Sequence, residues 1–296
     1  MILVAGASSK PGQKLIPMLV DKGYQVRALT RNPQQLDFAH FPGVEVIEGD
    51  LRQPDTLLRA CEGVEAVVSS VTAVVRVGDN NVHTVDDAGN RLLVEAAKRS
   101  GVKRFVLVSA YGAAKDHPVD FFRIKHGVEE YIRSSEVPYT ILRPTAFMET
   151  WCARIGRQVL NEETVTVFGD GKNPINFISV KDVAKFIVFA LEDPCLCNQT
   201  LTVGGPQNLT FNEVIAAYEQ VEGRSSKRKC ISAAQLRLTN RFYSLLNETK
   251  ARFAAIRHDL ATSDWQVDMS QNIKRYPVNL ISLQDVIGKS LKQQEW

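Results

Sequence analysis

Six short apolar runs punctuate the first half of this chain: Ile2–Ala5, Gln25–Leu29, Val44–Ile47, Ala66–Ser69, Phe105–Val108 and Tyr139–Leu142. Each is rich in β-branched or aromatic residues and bounded by Gly, Pro, Asn or Asp, as strands are. Amphipathic stretches separate them. The clearest runs from about Asp86 to Ser100, where Leu92, Leu93, Ala96 and Ala97 share a helical face and Gly101 supplies a stop. Strands that are apolar along their whole length are buried on both faces, and helices between them provide the right-handed crossovers that parallel pairing requires. The pattern predicts an α/β fold with a doubly wound parallel sheet.

After Arg143-Pro144 the rhythm changes. Gly169-Asp170-Gly171 reads as a turn, and Asn176–Leu191 as a further strand–helix unit. Within it Phe177–Val180 is strand-like, while Val183, Phe186, Ile187 and Ala190 fall on one helix face. Leu201–Val203 is another strand candidate, and Thr210 with Glu213 forms a capping box before a helix reaching about Gln220. The expected organisation is a sheet domain over residues 1–148, to which 176–204 return. Residues 149–175 and 205–296 make a smaller, mostly helical part.

Of the 296 residues 44% are hydrophobic and 23% charged, proportions that supply a core and exclude disorder. No run approaches the roughly 20 apolar residues of a membrane span, and Met1 leads into Ile2-Leu3-Val4 without a basic n-region, so the expected location is cytoplasmic. Three N-x-[ST] sequons, at Asn198, Asn208 and Asn247, are accordingly read as chance. The five cysteines are scattered without a C-x-x-C pair, and the five histidines show no metal spacing; neither a disulfide framework nor a metal site is expected. The net charge of +3 conceals an asymmetry. From Arg224 to His258 nine basic residues face only Glu248, giving +8, while the remainder carries 27 basic and 32 acidic residues, giving −5. Such a block can attract phosphate, anionic lipid or an acidic partner, and reads equally as a solvated helical face. An acidic partner for residues 224–258 is the expectation carried forward; nucleic acid is not expected.

The first strand runs into Gly6-Ala7-Ser8-Ser9-Lys10-Pro11-Gly12, followed by an apolar helical pattern. A tight Gly-rich turn between a strand and a helix lets backbone N–H groups and the helix N-terminus approach a pyrophosphate. Gly6 and Gly12 stand where a G-x-x-G-x-x-G loop has its first and third glycines, and Ser9 replaces the second; Ser8 and Ser9 can donate hydroxyl hydrogen bonds instead. After the second strand comes Arg31, where NAD-selective sites carry an acid for the ribose 2′-OH. With Lys10 as a second cation, the expected cofactor is NADP(H). Asp50 and Leu51, ending the third strand, are candidates for the adenine side, Asp50 alternatively as a helix cap. Thr72, after the fourth strand, is expected beside the ribose and pyrophosphate.

In combination these residues resemble the NmrA-like group of atypical short-chain dehydrogenases/reductases, which includes isoflavone-reductase-like enzymes and has a Rossmann fold. The matching motifs are Gly6–Gly12, Leu29-Thr30-Arg31, Gly49-Asp50-Leu51, Phe105–Ser109, Tyr139–Pro144 with Phe147-Met148-Glu149, and Phe177–Ala190. The resemblance implies a nicotinamide at the carboxyl edge of the sheet, with substrate between it and the C-terminal part. It also implies a Tyr-x-x-x-Lys reaction centre, which Lys125 matches and Phe121 breaks. Phenylalanine cannot relay a proton. The alternatives are Lys125 as acid/base, Tyr111 supplying the phenol from another loop with Ser109 positioning substrate, or a fold that keeps the dinucleotide without the chemistry. Phe147 and Trp151 are candidates for the wall of an apolar substrate pocket, or for core packing. The expected activity is NADPH-dependent reduction of a small apolar or aromatic carbonyl, enone or quinone-like compound, by a monomer or homodimer. The alternative is a non-catalytic NADP-binding sensor or assembly factor; a sugar-nucleotide epimerase is disfavoured by Phe121.

Overall fold

The computed structural model describes residues 1–293, apart from residues 39 and 77. The chain divides into two units, one of Met1–Pro144 with Val183–Thr202, the other of Thr145–Asp182 with the residues from Val203 onward.

The first unit contains β1 (Ile2–Ala5), β2 (Val26–Thr30), β3 (Val44–Glu48), β4 (Ala66–Ser69), β5 (Arg104–Val108) and β6 (Tyr139–Pro144). Helices α1 (Lys10–Asp21), α2 (Pro54–Cys61), α3 (Asn90–Arg99) and α4 (Asp120–Ser134) lie in its crossovers. The strand order is β3-β2-β1-β4-β5-β6, with Gln199–Val203 as a seventh strand beyond β6. The ladders from β3 to β6 are parallel, Ala5 standing opposite Leu29 on one side and Ser69 on the other. The seventh strand climbs in step with β6, from Asn198 N on Tyr139 O at 2.6 Å to Thr145 N on Val203 O at 3.0 Å. All four residues of β1 and of β4 are buried, as unbroken apolar runs require. Leu3, Ala5, Val67, Phe105 and Leu107 join Leu57, Leu93, Ala97 and Ile132 of α2, α3 and α4 in one core layer. Alternation sends Ile2 and Val4 to the opposite face.

The helix expected from Asp86 begins differently. Val82–Gly89 forms π-helical turns, capped by the Asn81 side chain on His83 N and Thr84 N, before α3 starts at Asn90. Asn90 explains the widening: its Nδ2 donates to the carbonyls of Asp86 at 2.8 Å and Val85 at 3.4 Å, and its Oδ1 accepts from Ser69 Oγ at 2.6 Å. A side chain inserted into the ladder opens the turn.

The second unit contains β7 (Ala146–Phe147), α5 (Met148–Leu160), β8 (Val165–Phe168), β9 (Ile175–Ile178) and the start of α6 (Val180–Glu192). After the edge strand of the main sheet, here β10, follow β11 (Asn208–Leu209), α7 (Phe211–Glu222), β12 (Arg228–Ile231), α8 (Ala233–Tyr243), α9 (Glu248–Thr262), α10 (Ser270–Arg275) and α11 (Leu283–Gln293). Strand β9 corrects the expectation that residues 176–204 return together to the main sheet. It pairs with β7 and β11, and the return begins within α6, at Val183. The reason is Asn176, whose Oδ1 accepts from Thr145 Oγ1 at 2.9 Å and Gly205 N at 2.7 Å, fixing β9 inside this unit. Glu149 accepts from Val180 N with both carboxylate oxygens at 3.0 Å and so caps α6. The capping box of Thr210 and Glu213 starts α7.

Among the described residues no helix is long and apolar enough to cross a membrane. Leu3, fully buried on the central strand, sets the scale of core stability. Leu3→Ala should lower unfolding stability by about 2–5 kcal/mol, whereas Val221→Ala, at an exposed site, should stay within about 0.5 kcal/mol; denaturant midpoints check both.

Candidate functional site

Strand order reverses at β1, between β2 and β4, and open parallel sheets place ligand crevices at the carboxyl ends of such strands. The loop from Gly6 to Gly12 closes one side of this crevice. Gly6 has φ +88°, and a Cβ on Gly12 would lie 2.3 Å from Gly6 O, so α1 starts directly on the loop backbone only because residue 12 has no side chain. Ser9, in place of the middle glycine, is the N-cap of α1: its Oγ accepts from Gly12 N at 3.1 Å and is bonded to Ser70 Oγ at 2.8 Å. The hydroxyl thus ties the loop to the end of β4.

Of the residues expected here, Gly6, Ser8, Ser9, Arg31, Leu51 and Thr72 line the cleft, with Val71, Ala73, Arg76, Asn80 and Val85. An adjoining polar pocket shares Ser8, Thr30, Arg31 and Arg76 and adds Asp50 and Arg52. Lys10 is exposed at the start of α1, and neither it nor Gly12 lines either cavity. Asp50 is committed to Arg52, whose Nη2 lies 2.6 Å from Oδ2 and whose Nε and backbone N each lie 3.0 Å from Oδ1. Those hydrogen bonds hold the Asp50 carboxyl below the usual carboxylate range despite partial burial. Arg31 donates to Asn80 Oδ1. Three guanidiniums against one carboxylate leave the pocket with an excess of positive charge, which suits a phosphomonoester. Loop and pocket together fit a dinucleotide carrying a 2′-phosphate.

Lys125 is 2% exposed and does not line the cleft. Its Nζ lies 2.9 Å from Asp86 Oδ1, an ion pair outside hydrogen-bond alignment, and donates to Val71 O at 3.4 Å. Asp86 Oδ2 accepts from Ala73 N at 2.7 Å. The pair therefore clamps both ends of Val71–Ala73, the cleft's lining after β4. The Phe121 ring, four residues before Lys125, has its centroid 5.6 Å from Lys125 Nζ.

Ser109 is buried and donates to Glu129 Oε1 at 2.5 Å; Glu129, itself fully buried, also accepts from Arg143 Nε at 2.9 Å. The hydroxyl proton is thereby directed into this network. Tyr111 is half-buried, its N–H donating to Pro144 O at 2.9 Å. In the second unit Trp151 packs edge-on to Phe168 at 6.3 Å and tilted to Phe211 at 6.5 Å, while Phe147 is half-buried at the end of β7. Burial pushes the Cys61 thiol up to about 12 and raises that of Cys152, so neither is a nucleophile at neutral pH. Among the described residues no cluster of His, Cys, Asp or Glu could hold a metal ion.

Comparison with known proteins fits this geometry. Residues 6–194 match the family described as NAD(P)H-binding. The chain belongs to that NAD(P)H-binding family. It is 31% identical over 236 residues to an NAD(P)H azoreductase of Xenophilus azovorans, covering 79% of this chain and 78% of the relative. It is 29% identical over 243 residues to the photosystem II assembly factor Ycf39 of Trieres chinensis, covering 82% and 75%. The crystal structure of the NADPH-dependent quinone oxidoreductase QOR2 of Escherichia coli, complexed with NADPH, superposes with a TM-score of 0.81 over 98% of this chain and all of the other, at 19% identity. The fold is that of NAD(P)-binding reductases.

Sequence reasoning missed Arg52, Arg76 and Asp86. Arg52 follows directly on Gly49-Asp50-Leu51 and was open to notice; Arg76 lies in a loop with no motif. Asp86 and Asn90 stand seven and three residues before Leu93, two polar residues continuing an apolar stripe, which is the signal that could have found them. Removing one member of a buried ion pair strands the other: Asp86→Ala should cost about 3–5 kcal/mol. Asp86→Leu combined with Lys125→Met should recover most of it, and a double-mutant cycle in denaturant measures the coupling.

Proposed function

We propose that the chain is an NADPH-dependent reductase that passes hydride to a small aromatic acceptor of the quinone type. The observation that carries the reading is the polar pocket in which Arg31, Arg52 and Arg76 stand beside the glycine loop. The loop backbone and the N-terminus of α1 hold the pyrophosphate, and the three arginines hold the 2′-phosphate. Bound NADPH supplies the hydride. Lys125 and Asp86 are positioning residues that hold Val71–Ala73 in place along the cleft.

The proton side narrows the substrate class. Residue 121 has no ionisable group, and the Lys125 ammonium is paired with Asp86. Acceptors that spread the incoming charge over a conjugated system, and take their proton from water, need no protein acid; a quinone gains one hydride and one solvent proton to give the hydroquinone. The quinone and azo compounds in the names of the similar proteins belong to this class. For simple carbonyls Tyr111 is the remaining candidate donor, which makes them poorer substrates. A second reading, an NADP-binding assembly factor without turnover, is favoured by the likeness to Ycf39 proteins together with the missing phenol.

Arg31→Asp and Arg76→Ala should each weaken NADPH binding about tenfold or more, the scale of a charge-assisted hydrogen bond, and leave NADH binding within about twofold. Equal losses for both cofactors, by fluorescence titration, would remove the 2′-phosphate assignment. Purified protein should oxidise NADPH in the presence of simple quinones faster than with aldehydes. Tight NADPH binding without oxidation across quinones, azo compounds and enones decides for the assembly-factor reading.

A further inference from the structure

We infer that the second unit carries a docking surface for an anionic membrane, formed by α8 and the turn that follows it. Helix α8 buries Leu236 and packs along α9, but its opposite side is apolar and open. Leu238 and Phe242 stand at i and i+4 on the helix, and Leu245 and Leu246 follow in the turn; their exposures are 67%, 62%, 88% and 68%. Side chains so exposed project from the surface rather than line a recess. Arg237 and Arg241 stand at the preceding positions, one helical row to the side, and neither forms an ion pair among the described residues. From Gly223 to Asn247 there are six basic residues and no acidic one.

A row of projecting leucines and a phenylalanine, bordered by arginines, matches the boundary of a bilayer. The apolar tips enter the acyl region, and the guanidiniums remain at the phosphate level. A second copy fits poorly, because a two-fold contact through this face would oppose Arg237 and Arg241 to themselves. An acidic protein, the expectation from charge alone, would meet the arginines but leaves the four apolar side chains needing a recess to fill. The helix has 11 residues, too short to span, so the contact lies along the surface.

Sedimentation of the purified chain with vesicles tests the inference, comparing pure phosphatidylcholine with a mixture containing roughly a quarter phosphatidylglycerol. Binding should be at least about tenfold tighter to the anionic vesicles and should fall with added salt. Two variants, R237E/R241E and F242S/L245S/L246S, should each lose about tenfold or more while keeping the circular dichroism spectrum and melting temperature of the parent. Absence of vesicle binding, equal binding to both compositions, or full binding by both folded variants overturns the assignment. So does self-association in sedimentation velocity that the apolar variant abolishes, or capture by polyglutamate without any binding to vesicles.

Discussion

A lysine ammonium taken out of water needs a carboxylate beside it, and in this chain that requirement shapes the end of the sheet. Lys125 comes from α4 and Asp86 from the π-helical turns before α3. Desolvating the two ions costs several kcal/mol each, so the pair persists only with good geometry and further partners. Those partners are the carbonyl of Val71 and the N–H of Ala73. The strand end that borders the cleft is thus held from below by two side chains that never reach the cleft. Asp86 stands within those π-helical turns, its backbone carbonyl accepting from Asn90 Nδ2 at 2.8 Å.

Helix α4 carries a second buried charge one turn further on. Glu129 accepts from Ser109 at the end of β5 and from Arg143 near the end of β6. One helix therefore fixes the carboxyl ends of three neighbouring strands, through a cation directed to the β4 loop and an anion directed to β5 and β6. This accounts for two motifs noted in the sequence, Phe105–Ser109 and Tyr139–Pro144, as parts of one network. It also explains why Lys125, a candidate through the family resemblance, and Ser109, a candidate at the end of the fifth strand, face partners inside the protein. Spacing identifies which residues share a helix face; it says nothing about which side of a strand end that face meets.

The sheet was legible because burial on both faces leaves a strong trace. The six expected strands match the observed ones within two residues at each end, and Ile2–Ala5 and Ala66–Ser69 coincide. The capping box at Thr210 and the loop between Gly6 and Gly12 were legible for the same kind of reason, a local geometry that few residues satisfy. What escaped depends on tertiary pairing. Strand β9 is as fully buried as a main-sheet strand, and its pairing with β7 and β11, together with the Asn176 side chain through Thr145 and Gly205, places it in the other unit. The basic stretch likewise could not be divided by counting. Arg224 pairs with Glu162 and Glu222, and Arg228 with Glu219, while Arg237 and Arg241 border exposed apolar residues.

The arginines of the polar pocket show how one pocket is assembled from distant loops in such a fold. Arg31 follows β2, Arg52 follows β3 and Arg76 follows β4, so each belongs to a different crossover and none is near another in sequence. They converge because parallel strands deliver successive loops to one edge. A pocket at that edge rests on topology plus single loop residues. The lining of the cleft after β4 answers to a separate constraint, the buried pair of Lys125 and Asp86. Phe121 adds no charge of its own to that pair, its ring packing beside the ammonium. The clamp on Val71–Ala73 therefore does not depend on an ionisable group at residue 121.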